Sequence, residues 1–190
     1  LAAGSGRRLG VPKALLRRQD RLLVEHALAA VREGGCDPLF VVLGASADLV
    51  QSSASLEGAT VLVNKAWSTG MASSLRAGLT AAEEAGAAAV VVVPVDMPLL
   101  SAEAVRLVAA ESGPQALACG TYAGRRSYPV LLGREHFAGA STLASADVGV
   151  RPYLVARDGQ VRYVACDEVA GDDDVDTPED AARCGIEVPS

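Results

Sequence analysis

Apolar residues fall into two recurring patterns along this chain, short unbroken runs and longer stretches with helical spacing, and they alternate through about residue 112. LLVEHALAAVREGG (Leu22–Gly35) repeats apolar positions every three to four residues and ends on two glycines, which predicts a helix with its stop. PLFVVLG (Pro38–Gly44) and ATVLVN (Ala59–Asn64) have the continuous apolar character of strands buried on both faces. SADLVQSSA between them predicts a helix capped by Ser46. KAWSTGMASSLRAGLTAAEEAG reads as a loop feeding a helix from about Met71 to Ala85. AAAVVVVPVDMPLL (Ala87–Leu100) is the most hydrophobic strand, closing on Asp96 between Pro94 and Pro98, and SAEAVRLVAAES follows as a helix with Ser101 at its N-cap. The order predicts an α/β fold with a Rossmann-like, doubly wound, mostly parallel sheet, ligands gathering at the carboxyl ends of its strands.

The remainder breaks this rhythm. QALACGTY, SYPVLLG and QVRYVAC read as strands separated by turns and short helices, which predicts a small antiparallel extension or edge in the C-terminal half. No linker, repeat or change in composition divides the 190 residues, so a single domain is expected, with parts at about 1–112 and 113–190.

Composition narrows the function. Half the residues are hydrophobic and only 4% aromatic, suiting Val-rich strands against Ala-rich helices. A net charge of -6 argues against a nucleic-acid binder, which needs a basic face to release counterions. Positive charge is local: Arg7, Arg8, Lys13, Arg17 and Arg18 crowd one end, and DEVAGDDDVDTPED concentrates acid at the other. Cys36, Cys119, Cys166 and Cys184 are too scattered for a zinc or redox pair and are expected as reduced core thiols. No run reaches the roughly 18 to 20 apolar residues of a membrane span, so a cytoplasmic protein without a membrane partner is expected.

The first sixteen residues, LAAGSGRRLGVPKALL, predict an anion-binding loop. A dinucleotide fingerprint would need G-x-G-x-x-G opening a helix; Gly4, Gly6 and Gly10 are spaced G-x-G-x-x-x-G, and Pro12 turns Val11 away from helical geometry. A P-loop would need Gly-Lys-Ser/Thr, but Lys13 stands three residues past Gly10 and precedes Ala14. A wide loop wrapping a triphosphate, with Arg8 and Lys13 supplying charge, remains, beside the plainer reading of a basic surface loop.

These residues resemble the L-A-[AG]-G-x-[GS]-x-R-[ML]-G-x-x-K signature of the MobA-like nucleotidyltransferases, most closely its molybdenum cofactor cytidylyltransferases. NKAWSTGMASSLRAGL, PVDMPLL and DVDTPED resemble three further family segments in the same order, covering nearly the whole chain. The resemblance implies Mg²⁺-dependent transfer of a nucleoside monophosphate from a triphosphate to a phosphorylated acceptor of the molybdopterin type, with a molybdoenzyme or its chaperone as a further partner. It assigns Arg8 and Lys13 to phosphate neutralisation, and Asp96 to the metal. Asp174 and Asp176 alternate about Val175, so on an extended segment both carboxylates face one way and can add metal ligands. Thr177 and Pro178 in the same stretch also make a good helix start.

The resemblance further implies that Leu1, Ala2, Ala3, Gly4 and Gly6 surround the nucleotide together with Asn64, Ser73 and Ser74, and since its cytidine-using members read L-A-A-G where guanosine-using ones read L-A-G-G, it favours CTP over GTP. Trp67 is expected chiefly as a buried anchor, and His26 and His136 as structural residues. Arg126, Tyr128, Asp147 and Arg151 are expected at the acceptor, although Ser127 and Tyr128 stand where the cytidylyltransferases carry glycine and histidine. Rivals are a GTP-using enzyme, transfer to another small phosphorylated acceptor, a nucleotide-binding accessory protein without turnover, and an NAD(P)H-dependent oxidoreductase needing no magnesium.

Overall fold

A computed structural model describes residues 1–188. In chain order its elements are β1 (Arg17–Arg18), β2 (Arg21–Leu22), α1 (Leu23–Glu33), β3 (Leu39–Leu43), α2 (Ala47–Ser53), β4 (Ala59–Val63), α3 (Met71–Glu84), β5 (Ala89–Val92), α4 (Ala102–Ala109), β6 (Leu117–Tyr122), β7 (Arg125–Gly133), α5 (Phe137–Leu143), α6 (Arg151–Ala156), β8 (Arg162–Ala165), α7 (Pro178–Arg183) and β9 (Ile186–Glu187). The predicted alternation through residue 112 is present. Leu23, Val24, Leu28 and Val31 bury one face of α1, and its two glycines end it, the Cys36 amide closing back on the Val31 carbonyl. Ser101 caps α4 by accepting from the Ala104 amide at 3.1 Å.

Three expectations are corrected. Ser46 stands before α2 but makes no capping bond; its backbone is left-handed, outside the extended geometry from which an N-cap side chain reaches the first turn. β4 pairs only with β3 and is half-exposed, with Val63 50% accessible, so it is an edge strand and not a strand buried on both faces. The Ala87–Leu100 run is paired as a strand only over Ala89–Val92, and its partner β7 is antiparallel.

That pairing shows where the second half of the chain goes. The sheet order β5-β7-β6-β8 places the antiparallel strand inside the sheet, against the apolar β5, and not at an outer edge. β3 and β4 form a separate parallel pair. Residues Leu1–Ala3 connect the two groups: Ala2 donates to the Val42 carbonyl at 2.8 Å, and Val95 donates to the Leu1 carbonyl at 3.0 Å. Beside them lies a cavity of about 360 Å³ lined mostly by apolar groups, including Leu28, Val31, Leu75, Leu79 and Val92. Lys13, Asp96 and Asp176 lie elsewhere.

β1, β2 and β9 make a small sheet holding the chain's two ends together, through pairs such as Arg18 with Ile186. No disulfide links the four cysteines, and three are buried. Among the described residues, no helix is long and apolar enough to cross a membrane. Leu131, 1% exposed, lies in the C-terminal half of β7 and packs with Val108, Ala118 and Tyr122. Leu131→Ala removes that contact from a strand paired on both sides, and a loss of about 3 kcal/mol is expected. The midpoint of thermal unfolding by circular dichroism should fall by about 6–12 °C.

Candidate functional site

A pocket of about 640 Å³ opens where the glycine loop, the end of the β5 segment, the N-terminus of α3 and the acidic segment before α7 converge. Its first wall is the loop of Gly4 to Lys13. Gly6 has φ +61°, and a side-chain carbon there would lie 1.9 Å from the Val11 carbonyl oxygen, so the loop curls back on itself only with glycine at this point. The curl leads through Pro12 into a single helical turn, with Ala14 and Leu16 buried, and sends Lys13 into the pocket. No long helix opens at Gly10, as the position of Pro12 predicted.

The second wall is acidic. Val175 is fully buried and its amide donates to the Asp96 carbonyl at 3.0 Å, pinning the extended DVD segment against the β5 loop. With Val175 turned inward, Asp174 and Asp176 both line the pocket, as their alternation predicted. Thr177 then caps α7: its hydroxyl accepts from the Asp180 amide, while the Asp180 carboxylate accepts from the Thr177 amide at 2.9 Å.

Between the walls, Lys13 Nζ donates to Asp96 Oδ2 at 2.6 Å and to Asp176 Oδ1 at 2.6 Å, and Arg8 approaches Asp176 at 3.3 Å. Burial works against the Lys13 ammonium, yet the charge of Asp96 and the bonds to both carboxylates outweigh it and raise the pKa. Asp176 is held below the usual carboxylate range, first by the Lys13 hydrogen bond. Asp174 is pushed up to about 6 by desolvation and then by the nearby Asp96 charge, with Lys13 opposing. Asp96 and Asp176 offer the hard oxygen donors that a magnesium-type ion takes from protein, the rest of its shell coming from water and phosphate. Among the described residues, no three His, Cys, Asp or Glu side chains form a ready cage. The pair therefore fits a metal shared with a ligand.

Asn64, Ser73 and Ser74 are brought together, but mainly by one another. Asn64 Nδ2 donates to the Ser73 hydroxyl at 2.7 Å and the Ser74 hydroxyl at 3.0 Å, and Oδ1 accepts from the Ala66 amide at 2.9 Å. Asn64 thereby ties the loop before α3 to its first turn; Ser74 lines the pocket. Trp67, expected in the core, is half-buried over Gly44 and also lines the pocket.

At the far end stand Arg126, Tyr128, Asp147 and Arg151. The β6–β7 register shifts between Cys119 and Gly120, where Cys119 pairs with Val130 and Gly120 with Ser127, and the extra residues carry Tyr128 toward the pocket. Desolvation, then the Asp96 charge, pushes the Tyr128 hydroxyl up to about 12, so it stays protonated at neutral pH. Arg126 pairs with Asp158 at 2.5 Å and lies over the Tyr163 ring. Asp147 lines the pocket and also accepts from the Met71 amide at 3.3 Å, capping α3 from another loop. Sequence reasoning missed this cap and the pocket positions of Arg7, Ser68 and Met71; Gly70, with φ +109°, was the available signal of a tight join before α3.

His26 bonds the Arg18 carbonyl, and His136 bonds the Tyr153 hydroxyl and the Gln115 carbonyl, so both histidines are structural.

Glycine loop, paired acids and mixed sheet together define an α/β fold of the nucleotidyltransferase type. The chain superposes on Rv0371c from Mycobacterium tuberculosis H37Rv with TM-score 0.82 and 29% identity, covering 97% of this chain and 94% of that one. A structure of that protein in complex with manganese gives TM-score 0.75 and 26% identity, over 96% and 93% of the two chains. Residues 1–161 match the MobA-like NTP transferase domain, and the chain belongs to that family. Among its relatives, nicotine blue oxidoreductase of Paenarthrobacter nicotinovorans is 35% identical over 96% of this chain and 93% of its own. The "Probable molybdenum cofactor guanylyltransferase" of Opitutus terrae is 31% identical over 54% and 48%.

The α7 cap gives a pH test. Asp180 is lowered to about 2, first by the Thr177 side-chain bond and then by Arg183. A depressed carboxylate contributes stability that is full above its unfolded pKa and lost as pH falls toward its folded one. Asp180→Asn should therefore unfold at lower urea than wild type at pH 6, with the gap narrowing from pH 4 to pH 2.

Proposed function

We propose that this chain is a nucleotidyltransferase of one domain that transfers a nucleoside monophosphate to a small phosphorylated acceptor and releases pyrophosphate. The favoured substrates are CTP and an acceptor of the molybdopterin type, with Mg²⁺ as the metal and a molybdoenzyme or its chaperone downstream. The observation that carries this reading is the Lys13 ammonium between Asp96 and Asp176, on a glycine loop whose Arg7 and Arg8 line the same pocket. The manganese complex of the mycobacterial relative supports a divalent ion.

Attack by an anionic phosphate on a triphosphate brings like charges together. At about 4 Å they repel by about 4 kcal/mol at an effective dielectric of 20, so neutralisation and alignment are the protein's work. Asp96 and Asp176 would hold the metal, with Asp174 beside them; when bound, it supplies Lewis-acid charge to the phosphate oxygens. Lys13 and Arg8 meet the outgoing pyrophosphate as point charge and planar fork. Leu1 to Gly6 and Ser74 hold the nucleotide, with Asn64 and Ser73 fixing the serine's turn. Arg126, Arg151 and the protonated Tyr128 orient the acceptor, while Asp147 positions the end of α3. The L-A-A-G form of the loop, by its resemblance to the cytidine-using members of the family, supports CTP.

Two other readings have support. The guanylyltransferase relative favours GTP, and the relative named for nicotine blue, which spans nearly the whole chain, favours a redox reaction. Pyrophosphate release from each of the four NTPs, with and without molybdopterin, separates the first pair. Lys13→Ala and Asp96→Ala should each lower the rate by about 10²- to 10³-fold. Metal-independent oxidation of NAD(P)H by nicotine blue, with no pyrophosphate from any NTP, would replace the transferase reading with the redox one. Nucleotide binding without turnover on any acceptor would make the chain an accessory protein.

A further inference from the structure

We propose that Lys13 is an exchangeable resident cation: it occupies the space between Asp96 and Asp176 that a divalent metal needs, and only an arriving polyphosphate draws it away. The inference rests on the nucleotidyltransferase reading.

Its basis is geometric. One Nζ lies 2.6 Å from an oxygen of each carboxylate, and the Lys13 and Asp96 side chains are only 17% and 19% accessible. The Val175–Asp96 backbone bond holds the two acid-bearing segments side by side around that one position. A magnesium-type ion takes carboxylate oxygens at about 2.0–2.1 Å, so one held by these two acids would need the same space. An ammonium within hydrogen-bond distance of those oxygens would then lie against a dication, and the two repel. Occupancy is therefore exclusive.

Displacement leaves a charged amine at the end of a flexible four-carbon stem, which needs an anion. Arg8 already leans on Asp176 and offers none, whereas the glycine loop that carries Lys13 is also the wall where a triphosphate would lie. The polyphosphate thus does two things, completing the metal's shell and receiving Lys13. Metal and nucleotide strengthen each other's binding by the same factor. When pyrophosphate leaves with the metal, Lys13 returns and neutralises the acids. The lysine stays protonated throughout, and no bond is made or broken.

Binding of Mn²⁺ without turnover tests this, read by electron paramagnetic resonance of the free ion. Wild type should bind Mn²⁺ weakly alone and at least about tenfold more tightly with a non-hydrolysable CTP or GTP analogue. Lys13→Met, which keeps length and removes charge, should bind Mn²⁺ alone at least about tenfold more tightly than wild type. Adding Asp96→Asn to that variant should abolish the gain, and thermal unfolding of Lys13→Met should respond to Mn²⁺ more strongly than wild type does. Equal or weaker Mn²⁺ binding by a folded Lys13→Met, with nucleotide-dependent binding intact in wild type, overturns the exchange and leaves the transferase reading standing. Absence of Asp96-dependent Mn²⁺ binding with any nucleotide overturns both.

Discussion

One ammonium group holds three remote parts of the sequence in register. Lys13 joins the glycine loop to Asp96, 83 residues away, and to Asp176, 163 residues away. Partly buried carboxylates next to each other repel unless a cation lies between them, and that lysine is the cation that offsets the site's acidity. The backbone bond from Val175 to Asp96 supplies the distance restraint, and the lysine supplies the charge. The glycine loop, the end of the β5 segment and the approach to α7 are thus organised around one charge, and Arg8 closes it from outside.

Much of this was legible in sequence because it is written in local periods. Asp174 and Asp176 share a face by the two-residue repeat of an extended chain, and Val175 anchors the other face. Pro12 forbade a helix at Gly10 by local sterics, and Thr177 with Pro178 announced α7. What escaped detection depends on pairing between distant segments. No local pattern in SYPVLLG says that it lies beside β5, because a strand covered on both faces reads the same in any position. The two-residue strands β1, β2 and β9 are largely polar and exist through mutual pairing, and the Met71 amide finds Asp147 across 76 residues.

Site and family carry different information. The fold and motifs place this chain among the MobA-like NTP transferases, yet one family relative is named as an oxidoreductase and another as a guanylyltransferase. A fold hosts chemistry and does not dictate it. The glycine loop here lacks the helix that presents amides to a dinucleotide's pyrophosphate, and the carboxylate pair has no evident use in hydride transfer. Those two features weigh toward phosphate chemistry on physical grounds.

The first turn of α3 is shared property. Asn64 grips it through Ser73 and Ser74 from the end of β4, while Asp147 grips the Met71 amide from another loop. Gly149 has φ +55°, and a side-chain carbon there would lie 2.7 Å from Met71 Sδ and 3.2 Å from the Tyr128 hydroxyl, displacing the first and crowding the second. The two ends of the pocket are therefore not modular. Exchanging residues 146–151 with those of a relative would tilt the same helical turn that fixes Ser74, so one wall could diverge in evolution only in step with the other.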